Sequence, residues 1–182
     1  MNIVIAIAAV IILVMLVSGY ISTSNDIAQT KVMVDEAWAD VEVAVEKRMN
    51  KVMDSFNTAK NYASMEQKTL LQSIQYRKGM TPAELSEVNE KIDQLAAGMN
   101  VVYENYPELK ADTLFAKVQE DIAESEEHLA AARRIYNNNV SRYNQKIVVF
   151  PASIVAQQKH YEKAEFFKAT EAAKKGFHIP EA

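Results

Sequence analysis

From Tyr20 to Lys78 the chain contains neither glycine nor proline. These residues are the usual local stops, glycine because its backbone is unrestrained and proline because it lacks an N–H and clashes with the preceding turn. A stretch that long without either has few places to turn, and the full 182 residues hold only four of each. Alanine, glutamate, lysine and glutamine, which lose little on entering a helix, are abundant. The chain therefore reads as all-α, built from long helices. It has no cysteine, which removes disulfides, thiolate metal sites and cysteine nucleophiles together.

The first segment is of a different kind. Residues 3–17 read IVIAIAAVIILVMLV, run on through Ser18, Gly19, Tyr20 and Ile21, and no ionisable side chain occurs before Asp26. As a helix, residues 3–21 would span about 28 Å, close to the roughly 30 Å of a bilayer's hydrocarbon core. Tyr20 falls where an interfacial aromatic belongs. A cleaved signal peptide is the rival and fits less well: no Lys or Arg precedes the run, the run exceeds the usual apolar core of such signals, and Val17-Ser18-Gly19 is a poor cleavage site. A helix apolar on every face has no place in a soluble domain of this size. The expectation is a single-pass transmembrane anchor over residues 1–23, in the cytoplasmic (inner) membrane, with the lipid bilayer as partner of residues 3–21. Only Lys31 lies near enough to count towards the positive-inside rule, which leans the soluble part to the cytoplasmic side.

Beyond the span, apolar positions recur at Val34, Trp38, Val41, Val45, Met49, Val52, Phe56, Ala59 and Ala63, at steps of three and four that average about 3.6. One helix is predicted to leave the membrane and continue to Lys78, with Asp35, Glu42 and Glu46 on its outer face and Gly79 as its stop. Thr81-Pro82-Ala83-Glu84 then restarts a helix, with a capping threonine, proline at the first helical position and glutamate three residues after the cap. Its stripe is Leu85, Val88, Ile92, Leu95, Met99, Val102 and Tyr106. Gly98, inside it, suits a close helix contact, and Pro107 ends it. A third long helix is predicted over residues 112–149, with the stripe Phe115, Val118, Ile122, Ser125, Leu129, Ala132, Tyr136, Val140, Tyr143, Ile147 and Phe150. A shorter helix follows from about Ser153 to Lys174, before Gly176. Long amphipathic helices cannot bury their stripes alone. The fold class is thus a single N-terminal transmembrane helix followed by a long antiparallel helical bundle over residues 24–152, with residues 153–182 a C-terminal helix and tail. The same spacing is compatible with a coiled-coil homo-oligomer.

Charge narrows the function classes. Twenty basic and 24 acidic side chains, net −4, are interleaved, and the largest basic clusters are pairs such as Lys47-Arg48 and Lys174-Lys175. No stripe suits a nucleic-acid backbone, so no nucleic-acid partner is expected. Glu120-Asp121, Glu124 and Glu126-Glu127-His128 form the one acidic constellation reminiscent of metal chemistry. A di-iron bundle needs two Glu-x-x-His elements, whereas Glu124 and His128 are four apart and Ser125 stands three before the histidine. A solvated helix face is the expectation there, with no metal and no cofactor. His160 and His178 stand alone in polar surroundings. No nucleophile triad or phosphate loop occurs, so no enzyme is expected. Residues 159–175, with five lysines and Phe166-Phe167, admit a place on an anionic membrane surface, although Glu162, Glu165 and Glu171 dilute their charge and an ordinary solvated helix fits as well. Asp35-Glu36 and Arg133-Arg134 lie beside the stripe positions Trp38 and Tyr136, where an interhelical ion pair would hold register.

Several blocks together resemble one family. Val34-Asp35-Glu36-Ala37-Trp38-Ala39-Asp40-Val41, Lys47-Arg48, Tyr106-Pro107-Glu108-Leu109-Lys110-Ala111, Phe115, Gln119-Glu120, Ala132-Arg133-Arg134-Ile135-Tyr136-Asn137, Tyr143-Asn144, Phe150-Pro151 and Phe166-Phe167 are similar, in order and spacing, to the LemA pattern. The resemblance covers about residues 20–168. The chain departs from it at Val52-Met53-Asp54-Ser55-Phe56, where the family has a proline, so the first helix is expected to run straighter here. The resemblance implies an N-terminal anchor, a helical bundle and no established catalysis, and its MamQ-like branch takes part in building an internal membrane compartment. The functional expectation is a membrane-anchored, non-enzymatic scaffold or adaptor that organises protein partners, with Asp35, Trp38, Arg133, Arg134 and Tyr136 as candidate contacts. The alternative is a self-assembling structural protein of a membrane or membrane compartment.

Overall fold

The computed structural model describes residues 2–59, 61, 64–106 and 113–168. Among them every regular element is a helix: α1 (Asn2–Ala59), α2 (Met65–Ser73), α3 (Pro82–Asn105), α4 (Thr113–Lys146) and α5 (Ala152–Gln158). The all-α reading holds, and the chain divides into two compact units to which α1 and α4 both contribute. One unit is residues 1–37 with 137–164, the other residues 38–136 with 165–182.

In the larger unit, α1 buries Val41, Val45, Val52, Phe56 and Ala59, as its spacing predicts, and it runs unbroken through Val52–Phe56. The predicted continuation to Lys78 does not occur. Among the described residues α1 ends at Ala59 and a separate helix starts after Ser64. The reason is a second capping box. The Ser64 hydroxyl accepts the Gln67 N–H (3.3 Å), and the Gln67 side-chain oxygen accepts the Ser64 N–H (2.7 Å), which satisfies two otherwise orphaned donors. Residues 74–81 then complete a return leg, so α3 runs in the same direction as α1, pairing Arg48 with Asn89 and Ser55 with Tyr103. In this unit α4 runs antiparallel to α1, pairing Arg48 with Glu126 and Lys51 with Asp121.

The Thr81 cap forms as expected, with both halves of its box and Pro82 at the first turn. Leu85, Val88, Ile92, Leu95, Met99 and Val102 are buried, whereas Tyr106 is exposed beyond the helix end and Tyr103 takes the core position. Glu42, expected outside, is buried because its carboxylate accepts the N–H of Gly79 (2.7 Å), whose φ of 80° makes the turn. Gly98 does mark a close contact: a Cβ there would lie 3.1 Å from Gln67 Nε2 and 3.2 Å from its Cγ. Gln67 is held at both ends, by Ser64 and by a 2.6 Å bond from Nε2 to the Gly98 carbonyl. Gly98→Ala should therefore lower stability by about 1 kcal/mol, because displacing two hydrogen bonds outweighs the roughly 1 kcal/mol gained in helix propensity. Thermal unfolding by circular dichroism checks this; an unchanged or higher Tm would show that Gln67 yields freely.

In the smaller unit, α4 again runs antiparallel to α1. Asn139 donates to the Met33 carbonyl, and Lys146 reaches Asp26 and Thr30. Ile27, Val34, Val140, Tyr143, Ile147 and Val155 form its core. Residues 3–21 of α1 are exposed throughout and make a helix long and apolar enough to cross a membrane. Two expectations fail here. Phe150 is 76% exposed, because α4 ends at Lys146 and the apolar register ends with it. The C-terminal helix is only Ala152–Gln158, closed by His160 at φ 54° with bonds from the N–H groups of His160 and Tyr161 to Gln157 and Ala156. Through Lys168 the chain is then non-helical; α4 side chains bond backbone groups of Glu162, Ala164 and Glu165, and Ser86 of α3 accepts the Lys168 N–H. Tyr143 donates to the Glu162 carbonyl (3.0 Å), and Asn144 bonds both the N–H and the carbonyl of Ala164 (2.8 and 2.9 Å). A helix here would forfeit those bonds. The remainder of the expected helix, with His178, lies outside the described residues.

Candidate functional site

The singled-out residues separate into two groups. Trp38 and Tyr136 do meet, in the larger unit, with ring centroids 5.1 Å apart, and Phe167 packs 6.1 Å from Trp38. These separations are ordinary for favourable aromatic pairs. The Tyr136 hydroxyl donates to the Glu165 carbonyl (2.7 Å), so the three rings fasten residues 165–168 to α1 and α4. Phe167 is 1% exposed while Phe166 is half exposed, so the pair is split between core and solvent instead of presenting one apolar face. Asp35 is paired within its own helix to Lys31, one turn earlier, and is exposed. Among the described residues Arg133 and Arg134 form no ion pair. Their register role is filled by other groups.

Of these, the sequence marks Arg48 as one of a basic pair and Asp121 and Glu126 as part of a solvated acidic face, not as contacts between helices. Arg48 is buried, with a side chain 5% exposed, between three helices. Its Nη1 lies 2.5 Å from Asp93 and 2.9 Å from the side-chain oxygen of Asn89, both on α3, and its Nε lies 2.5 Å from Glu126 on α4. One turn on, Lys51 bonds Asp121 of α4 (2.6 Å). Another turn on, the buried Tyr103 hydroxyl lies 2.7 Å from the Ser55 hydroxyl and donates to the Ser55 carbonyl (3.2 Å). Positions 48, 51 and 55 step by three and four, so a polar seam runs down α1 where it meets α3 and α4. The signal was present, since Arg48 stands in stripe phase with Val45 and Val52, and Asn89 in phase with Ile92. Glu126, expected on a solvated face, turns inward to Arg48, while Glu124 and His128, an i,i+4 pair 3.6 Å apart, are exposed.

The chemistry of the seam is charge pairing: Arg48 Nη1 donates to Asn89 and faces Asp93, while Nε lies against Glu126 as an ion pair without hydrogen-bond geometry. A guanidinium held between two carboxylates and an amide fixes which turns of three helices lie opposite one another. A hydrogen bond to Lys51 holds the Asp121 carboxyl below the usual range, and the same bond raises the Lys51 ammonium. The depressed Asp121 contributes stability at neutral pH that is lost as pH falls through its lowered pKa. Burial raises the phenols of Tyr103, Tyr143 and Tyr76. Between the ordinary phenol value near 10 and these raised values the folded chain holds protons that the unfolded chain has released, so stability falls as pH rises. Tm should decline from about pH 10 upward. The decline should be shallower in Tyr103→Phe, which starts about 1 kcal/mol less stable for want of the Ser55 bond. Parallel declines in the two proteins would remove Tyr103 from the alkaline transition.

A family model described as the LemA family matches residues 37–179. The chain belongs to the LemA family. It is also 25% identical over 157 residues to a protein called Protein LemA from Metamycoplasma hominis, covering 84% of this chain and 72% of that one. The LemA match takes in the whole Arg48 seam, the Trp38–Tyr136 contact and the α4 side chains that hold residues 161–165. The candidate membrane span precedes the matched region.

Proposed function

We propose that this LemA-family chain is a membrane-anchored, non-enzymatic helical scaffold. The observation that carries this reading is the continuity of α1. The apolar residues 3–21 and the core positions Val41, Val45 and Val52 belong to a single helix, Asn2–Ala59, with no linker between them. No flexible linker separates the span from the folded residues that follow it, which suits presentation of a surface at the membrane better than free search. Arg48, Asp93 and Glu126 are committed to one another in the seam, and the buried Glu42 to the Gly79 N–H. One face of α1 between the span and the seam, with Gln29, Val32, Met33 and Glu36, is open, and Val32 and Met33 are half exposed. We assign protein docking to that face and place the bundle on the cytoplasmic side, on the charge of Lys31.

A photo-crosslinking residue at Val32, in native membranes, tests the scaffold. Discrete heterologous adducts, abolished by Met33→Glu, are the expected result. A ladder of self-multiples would instead favour the self-assembling structural protein that the heptad-like spacing allows, and no adduct along this face would sink both. Orientation is read separately with Glu127→Cys, an exposed site in a chain without other cysteines. Labelling by an impermeant maleimide is expected only after lysis; labelling of intact cells would place the bundle outside.

A further inference from the structure

We propose that the turn between α4 and α5 dips into the bilayer beside the span and gives the bundle a second, interfacial membrane contact. The inference rests on the anchoring role of residues 3–21. In the smaller unit, α4 descends antiparallel to α1, with Asn139 level with Met33 and Lys146 bonded to Asp26 (2.7 Å) and Thr30 (2.8 Å). Seven residues along each helix correspond to about 10 Å, so the two registers agree. The chain leaves α4 at Lys146 and returns at Lys159, whose ammonium donates to the buried Ser24 hydroxyl (2.5 Å). Both ends of this turn are therefore tied to the first turns of α1 beyond Ile21. Ser24 is only about 5 Å above Ile21 along the axis.

What the turn presents at that level is apolar. Val148, Val149, Phe150 and Ile154 are all at least half exposed, while their neighbours Ile147 and Val155 are buried. An aromatic and three aliphatic side chains, exposed together next to the end of an apolar span, match the composition of the headgroup–acyl boundary. Lys159 adds the complementary charge. Its partner Ser24 is neutral, and among the described residues no carboxylate pairs with it, so its ammonium is set to meet a lipid phosphate. Lys146, by contrast, is neutralised by Asp26. The bilayer that α1 enters is the occupant of this patch.

The test uses the full chain in phospholipid vesicles, with an environment-sensitive fluorophore on one introduced cysteine at a time: Val149→Cys in the turn, Val10→Cys in the span, Glu127→Cys as a distant control. Lipids with a nitroxide high on the acyl chain should quench the label at position 149 to roughly half, the depth expected of an interfacial side chain. A deep nitroxide should quench position 10 more than position 149, and neither lipid should affect position 127. Aqueous iodide should quench 127 freely and 149 weakly. Quenching at 10 with 149 behaving like 127 overturns the proposal and leaves the anchor standing. Absence of quenching at 10 overturns the anchor itself, and the interfacial contact with it. Phe150→Asp in the Val149→Cys background should abolish the shallow quenching without changing that at 10 or the helical circular dichroism; unchanged quenching would show that proximity to the span, not the apolar turn, was responsible.

Discussion

Replacing Arg48 by alanine should lower the unfolding free energy by about 3–5 kcal/mol, the range for removing one partner of a buried ion pair. The guanidinium contributes little net energy by being present, since its own desolvation offsets most of its attraction to Asp93 and Glu126. Its removal is costly for another reason. Asp93, with a side chain 8% exposed, stays buried without the cation that touches it at 2.5 Å, and the Asn89 oxygen loses its donor. Glu126, at 29%, turns to water at lower cost. Urea unfolding in mild detergent measures the loss. A companion variant separates charge from packing. Arg48→Met with Asp93→Leu, Glu126→Leu and Asn89→Ala removes the whole polar set, and most of the lost stability should return because the desolvation penalty goes with it. A single Arg48→Ala variant within about 0.5 kcal/mol of the parent would mean that the seam is hydrated and does not hold register.

The second large effect concerns the span. Each Ile, Val or Leu near the centre of a membrane helix contributes about 0.3–0.6 kcal/mol to insertion, so the run at residues 3–17 holds several kcal/mol in reserve and tolerates one charge. Two aspartates cost about 5–7 kcal/mol on the same scale and reverse the balance. Ile11→Asp with Leu13→Asp should accordingly release the chain from membranes into the carbonate-soluble fraction. Both side chains are exposed and outside either core, so the bundle should keep its helical signal and its melting transition. Retention of the double variant in washed membranes would show that something other than residues 3–21 binds the chain there. The α4–α5 turn would be the first place to look.

The contrast between these two sites reflects what one-dimensional pattern reading reaches. The long apolar helix over residues 3–21 was legible because crossing a membrane sets a uniform requirement, an apolar surface on every side over a fixed length. The Thr81 restart was legible because a capping box is local, closed within four residues. The Ser64 box is equally local but lies inside a run of helix formers, whose propensity favours continuation and masks the two orphan donors. Arg48 was harder to read. A charged residue in stripe phase looks like an interruption of the core until its partners are known, and those partners lie at positions 89, 93 and 126 on other helices. The stretch through Lys168 could not have been read as non-helical from its own residues, because the groups that hold its backbone belong to Tyr136, Tyr143 and Asn144 on α4 and Ser86 on α3.

By itself, then, the sequence determined the all-α class, the apolar span, the Thr81 start of α3, most of the core stripes and the LemA resemblance. All of these follow from interactions within a few residues or from a periodicity that burial demands of any amphipathic helix. Only the tertiary structure decided that Arg48 is a core residue, that Glu42 caps the Gly79 turn, that Asp35 pairs within its own helix and that Phe150 faces outward. Each of these depends on where a distant segment places a charge, a backbone donor or the end of a helix. The cost of an unsatisfied buried group settles such cases, and the residue's own neighbours in sequence do not.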